Sequence, residues 1–128
     1  MNPFGHIDLR VRDLEAAARF YDLLLPALGF TERYHAGEWK VWATVDPLPS
    51  TAYFAVTEDA AHVANANRVA FQVASAAEVD RIAEVAKEAG ADLSGPKEMP
   101  SYGPGYYAAV FDDQSGNRLE IYVRPGNG

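Results

Sequence analysis

An α+β fold is predicted: two tandem βαβββ modules forming a curved mixed sheet around a central cleft, with the helices outside. Three observations carry this expectation. Residues 5–12 (GHIDLRVR) and 67–74 (NRVAFQVA) are in-phase echoes, with Arg68 lying 62 residues after His6. Each echo runs into a segment with helical spacing of apolar residues. Each such segment is followed by three further strand-like runs. A supersecondary unit repeated at half the chain length is a signature of internal duplication.

The elements can be justified in order. In 5–12, Ile7, Leu9 and Val11 alternate with His6, Asp8 and Arg10, so a strand puts the two sets on opposite faces. Asp13 is a helix N-cap by type. Leu14, Ala17, Ala18, Tyr21, Leu24, Leu25 and Leu28 then mark one helix face. Pro26 lacks an N–H and should stop or kink the helix near Leu25, and Gly29 suits a chain reversal. Strands are expected at 30–35 and 39–45, with Ala36-Gly37 as their turn. Prolines 47 and 49 make 46–50 a loop. A strand follows at 51–57, with Ala52, Phe54 and Val56 on one face. The first module thus covers about 4–57, and the alanine-rich stretch 58–66 is a linker.

The second module, about 67–124, repeats the programme. Val69, Phe71 and Val73 match the apolar set, and Arg68, Ala70 and Gln72 the other. Ser75-Ala76-Ala77-Glu78 has the form of a capping box. Val79, Ile82, Val85, Ala86 and Ala89 give its helix a buried face, ended by Gly90. A weak strand at 92–99 is interrupted by Gly95-Pro96. A loop at 100–105, a strand at 106–111, a turn at 112–117 and a strand at 118–123 follow. In the last strand Leu119, Ile121 and Val123 turn inward, and Arg118, Glu120 and Tyr122 face the other way. Residues 124–128 are expected to fray.

Composition narrows the functional classes. The chain has 128 residues, 48% hydrophobic and 23% charged, as in ordinary globular domains. It has no cysteine, which removes disulfides, thiolate nucleophiles and thiolate metal sites. A net charge of −7 without a Lys/Arg cluster argues against nucleic acid and anionic membranes as partners. No apolar run approaches the roughly 20 residues of a membrane span. No signal segment precedes the first strand, so a cytoplasmic location is expected.

The segments GHIDLRVRDLEAAARFYDLLLPALGF, NRVAFQVASAAEVDRIAEVAKEAGA and YGPGYYAAVFDDQSGNRLEIYV together resemble the vicinal oxygen chelate superfamily. That superfamily includes glyoxalase I, extradiol dioxygenases, fosfomycin-modifying enzymes and bleomycin-resistance proteins. Gly-Asn-Arg-Leu-Glu-Ile, beginning at Gly116, is the most specific part. The resemblance implies a trough in which catalytic members hold a divalent metal on four residues, one from the first and one from the last strand of each module. Carried onto this chain, those places are His6, Tyr53, Arg68 and Glu120. His6 and Glu120 are competent ligands for zinc, nickel, manganese or iron. Arginine has no lone pair to give and stays protonated. The metal set is therefore incomplete, and the two-histidine, one-carboxylate extradiol pattern is missing.

Arg68 opposite Glu120 would put positive charge where a metal would sit, as an internal ion pair or as a site for an anion. Trp42 shares parity with Lys40 and Thr44 and is expected in the trough. Tyr106 lies beside the glycines flanking Pro104 and is expected to reach the pocket. Gln72 and Tyr122 share the faces of Arg68 and Glu120. Trp39 and Tyr107 are expected to be packing residues, and His35 and His62 solvated ones. Three readings follow. The first is a homodimeric protein that binds a small aromatic or anionic molecule without a tight metal. The second is a lyase or isomerase like the glyoxalases, with His6 and Glu120 holding a metal and acting in catalysis. The third is an interaction protein whose site has degenerated.

Overall fold

A computed structural model describes residues 3–125. The first module contains strand β1 (His6–Val11), helix α1 (Leu14–Ala27), and strands β2 (Glu32–Ala36), β3 (Trp39–Ala43) and β4 (Tyr53–Glu58). The second contains β5 (Arg68–Gln72), α2 (Ala76–Glu88), β6 (Ser94–Glu98), β7 (Tyr107–Asp112) and β8 (Arg118–Val123). Each module forms a four-stranded mixed sheet, ordered β1-β4-β3-β2 and β5-β8-β7-β6. First and last strands pair in parallel, and the other neighbours are antiparallel. The expected tail falls mostly on 126–128, outside the described residues.

Local chemistry explains the boundaries. Asp13 accepts from the Ala16 N–H at 3.1 Å and starts α1. Pro26 does not stop the helix at Leu25 but sits in its last turn, which runs to Ala27. A proline there forfeits one bond only, and the N–H groups of Leu28 and Phe30 close the end on the Leu25 carbonyl. Ser75 caps α2 by accepting from Glu78 N–H at 3.2 Å. The reciprocal half of the box is not made, because the Glu78 carboxylate turns to Arg81 at 2.8 Å. The first hairpin turns at Gly37-Glu38, one residue later than expected, since Ala36 pairs with Trp39. Gly95-Pro96 does not break β6. It shifts the register between Ser94 and Lys97, and a Cβ on Gly95 would lie 2.7 Å from the Ala108 carbonyl oxygen.

The core lies between the two helices and the helix-facing sides of both sheets. Phe20, Tyr21, Leu24 and Leu25 of α1 meet Trp42, Phe54 and Val56, while Val79 and Ile82 of α2 meet Phe111, Leu119 and Ile121. Phe54 and Phe71, one from each module, approach with ring centroids 5.7 Å apart. Burying such a side chain stabilises by about 1.5–3 kcal/mol. A polar clasp adds to this joint. Asp113 accepts from the buried Tyr21 hydroxyl at 2.7 Å and from the Asn117 side chain at 2.9 Å. Asn117 also donates to the Arg10 carbonyl at 2.8 Å, and Ser115 Oγ accepts from the Arg12 N–H. The predicted turn at 112–117 therefore anchors β8 to the first module. Among the described residues, no helix is long and apolar enough to cross a membrane.

Candidate functional site

Both sheets turn their second face away from the helices, and the polar set of each first strand lies there. In the first module this face forms a hollow of about 540 Å³, lined by His6, Asp8, Tyr34, Trp39, Val41, Tyr53, Ala55 and Thr57. This falls within the size range of small-molecule sites. His6 and Tyr53 are register partners on adjacent parallel strands. Thr57 donates its hydroxyl to Asp8 Oδ1 at 2.9 Å, and Arg10 reaches Asp8 Oδ2 at 3.6 Å.

The tryptophan expected in this hollow is absent from it. Trp42 is wholly buried on the helix side, where it packs on Tyr21 and donates Nε1–H to Asp22 at 3.0 Å. Trp39, expected to be a packing residue, lines the hollow and is 41% exposed. Parity with Lys40 and Thr44 misled because this strand reverses the usual sign: the face of Trp39, Val41 and Ala43 is apolar throughout, yet it is the mixed face of Lys40 and Trp42 that turns to the core. The ladder decides it, since Trp42 lies opposite the core residue Phe54 and Trp39 opposite Thr57.

The second module presents a different cluster. Glu120 is 2% exposed, and both its oxygens are engaged. Arg68 Nη1 donates to Oε1 at 2.8 Å, and the Tyr106 hydroxyl donates to Oε2. Tyr106 stacks on Tyr122 at 5.0 Å, and Tyr102 meets the Tyr106 edge at 5.2 Å. The Tyr122 hydroxyl donates to Gln72 Oε1 at 3.3 Å. Burial, then the hydrogen bond to Glu120, raises the Tyr106 pKa far above a free phenol's. The Arg68 pKa also rises, first through its bond to Glu120 and then through Tyr102. The tyrosine cradle around a buried carboxylate is only partly legible in sequence: Tyr106, Tyr122 and Gln72 are expected on this face, but no pattern along the chain pairs Tyr102 with Arg68. Asp113 and Asn117 carry only a turn signal in the sequence, yet they clasp Tyr21 and the Arg10 carbonyl. His62 is not simply solvated, because its Nε2 is buried and has no hydrogen-bond partner among the described residues.

The ladders also correct one registration. His6 pairs with Tyr53, and Arg68 pairs with Arg118. Glu120 pairs with Ala70, so its counterpart in the first module is Ala55, the partner of Asp8, and not Tyr53. The four places to which the family resemblance assigns a metal are thus His6, Ala55, Arg68 and Glu120. Alanine offers no donor atom, arginine no lone pair, and Glu120 is satisfied on both oxygens. These residues do not fit a divalent metal. Among the described residues, no three His, Cys, Asp or Glu side chains converge as ligands. His6 and Arg68 do meet one common space, a second hollow of about 340 Å³ at the seam between modules, which Tyr53, Phe30 and Phe71 also line.

A model of the Glyoxalase/Bleomycin resistance protein/Dioxygenase superfamily matches residues 4–121. A comparison with curated proteins returns no match. Among solved structures, a glyoxalase/bleomycin resistance protein from Albidiferax ferrireducens T118 is similar with a TM-score of 0.79 and 23% identity, over 96% of this chain and 100% of that one. The fosfomycin resistance protein FosX from Mesorhizobium loti is similar with a TM-score of 0.71 and 20% identity, over 98% and 94%. A glyoxalase-related enzyme from Fulvimarina pelagi gives 0.73 and 21%, over 98% and 90%. At these identities the likeness is one of fold.

Proposed function

The chain belongs to the glyoxalase/bleomycin resistance protein/dioxygenase superfamily, and from that premise we propose that it binds a small, largely aromatic molecule in the hollow of the first module, without a tight metal. The observation that carries this reading is the wall itself: Tyr34, Trp39 and Tyr53 face one hollow together with His6 and Asp8. An apolar, aromatic wall with a few fixed polar groups is the usual form of a small-molecule site. The anionic half of the expectation loses its support, because Arg68 is committed to Glu120 at 2.8 Å. The metal-dependent lyase reading finds only His6 and an already satisfied Glu120. His6 and Tyr53 line both hollows and are assigned to ligand contact.

We further infer a homodimer. Exposed Leu23, Val45 and Leu48, outside both hollows, leave apolar surface that a second copy would cover. Edge strands β2 and β6 are further surfaces that pairing would protect. Sedimentation of the full chain reads the stoichiometry.

Titration with uncharged bicyclic aromatics, followed by tryptophan fluorescence, tests the binding reading. Saturable quenching is expected, and Trp39→Phe should remove it while the emission of buried Trp42 persists. Absence of saturable quenching across the set would discard the reading.

A further inference from the structure

We propose that the ligand of this hollow is cationic: a flat aromatic molecule carrying an ammonium or amidinium group, its ring against Trp39, Tyr34 and Tyr53 and its charged end on Asp8. The inference rests on the small-molecule reading above and adds the charge class to it. Among the described residues no Lys or Arg lines the hollow, and Asp8 is its one carboxylate. Thr57, from the neighbouring strand, holds Oδ1 by a 2.9 Å hydrogen bond. Among the described residues Oδ2 meets only Arg10, at 3.6 Å and with both side chains exposed. That separation is beyond a hydrogen bond, and an exposed ion pair of this kind contributes little. A ligand cation can therefore take the place of Arg10 on a carboxylate that is already oriented.

The surroundings favour the same charge. The faces of tryptophan and tyrosine carry negative quadrupole density and attract cations. Ala55, register partner of Asp8 on β4, lines the hollow with only a methyl group and so leaves room beside the carboxylate. The net charge of −7 raises the local concentration of cations rather than anions. The guanidinium that could have received an anion, Arg68, is paired in the other module with Glu120.

Calorimetric titration of the full chain with three matched probes is the test: 2-naphthylmethylammonium, 2-naphthylmethanol and 2-naphthoate. The ammonium is expected to bind about tenfold tighter than the alcohol, with the naphthoate weakest. Asp8→Asn should remove most of that preference, leaving only what the aromatic faces contribute. Arg10→Ala should tighten the ammonium by removing its competitor. Thr57→Val, which keeps the charge but frees the carboxylate, should reduce the preference and serves where the Asp8 variant folds poorly. Equal affinity for ammonium and alcohol, or a preference indifferent to Asp8 and Thr57, would overturn the charge assignment and leave the aromatic site standing. No binding of any probe would remove both.

Discussion

The Arg68 guanidinium meets the Glu120 carboxylate at 2.8 Å, with the carboxylate side chain 3% exposed and the guanidinium side chain 38% exposed. The pair crosses two neighbouring parallel strands, and Tyr106 closes the free oxygen. A buried carboxylate is costly unless paired and hydrogen-bonded. Here the chain itself supplies the compensation.

Breaking the pair from one side should therefore hurt more than removing it whole. Arg68→Ala is expected to destabilise by about 2 kcal/mol in urea denaturation, below the value for fully buried pairs because Arg68 reaches water. The double variant Arg68→Met/Glu120→Leu should regain most of the loss. Additive losses would show that the two side chains do not interact.

Replacing the guanidinium by an imidazole tests the donor-set argument. Arg68→His adds a histidine beside the seam that His6 also lines and releases one oxygen of Glu120. Zinc or nickel should then raise its melting midpoint, by mass action on the native state. The midpoint of the unaltered chain should stay put. An equal shift in both would sink the claim that these residues do not fit a metal.

The two tryptophans should separate stability from binding. Trp42→Ala removes a wholly buried ring and should cost about 3–5 kcal/mol. Trp39→Ala should change stability by no more than about 0.5 kcal/mol, yet abolish aromatic ligand binding. Denaturation curves and fluorescence titrations of both variants check this together.

Alkaline titration should find Tyr106 silent. Its folded pKa is raised, first by burial and then by Glu120, so the protonated phenol is held in the folded state. Its stabilisation is fully present below the ordinary tyrosine value of about 10 and fades as pH rises above it. Absorbance at the phenolate band should show Tyr106→Phe leaving the transition near the ordinary value unchanged. Loss of one titrating group there would show that Tyr106 ionises normally.

The fold was legible because alternation and helical spacing repeat in phase. Val11, Phe54, Leu119 and Ile121 sit where period-two patterning placed them. Boundaries slipped by one or two residues at Pro26 and Gly37, where terminal hydrogen bonds outweigh local propensity. Trp42 and Trp39 exchanged roles because each face of β3 carries one tryptophan and Lys40 shares the face that turns inward, so parity carries no sign without its neighbour. The match of Tyr53 to Glu120 failed for a related reason. Adjacent strands can slide by two residues and keep the same face inward, and pairing of His6 with Tyr53 against Ala70 with Glu120 sets the offset.

By itself the sequence determined the doubled βαβββ order, the two buried helix faces, and the presence of an arginine where the family pattern wants a histidine. Those features are local, written in periodicity and residue type. Tertiary structure alone decided that Arg68 and Tyr106 consume both oxygens of Glu120, that Ala55 stands in the fourth ligand place, and that Trp39 rather than Trp42 faces the hollow. These depend on strand register and on distances between residues far apart in the chain, which no pattern along one strand contains.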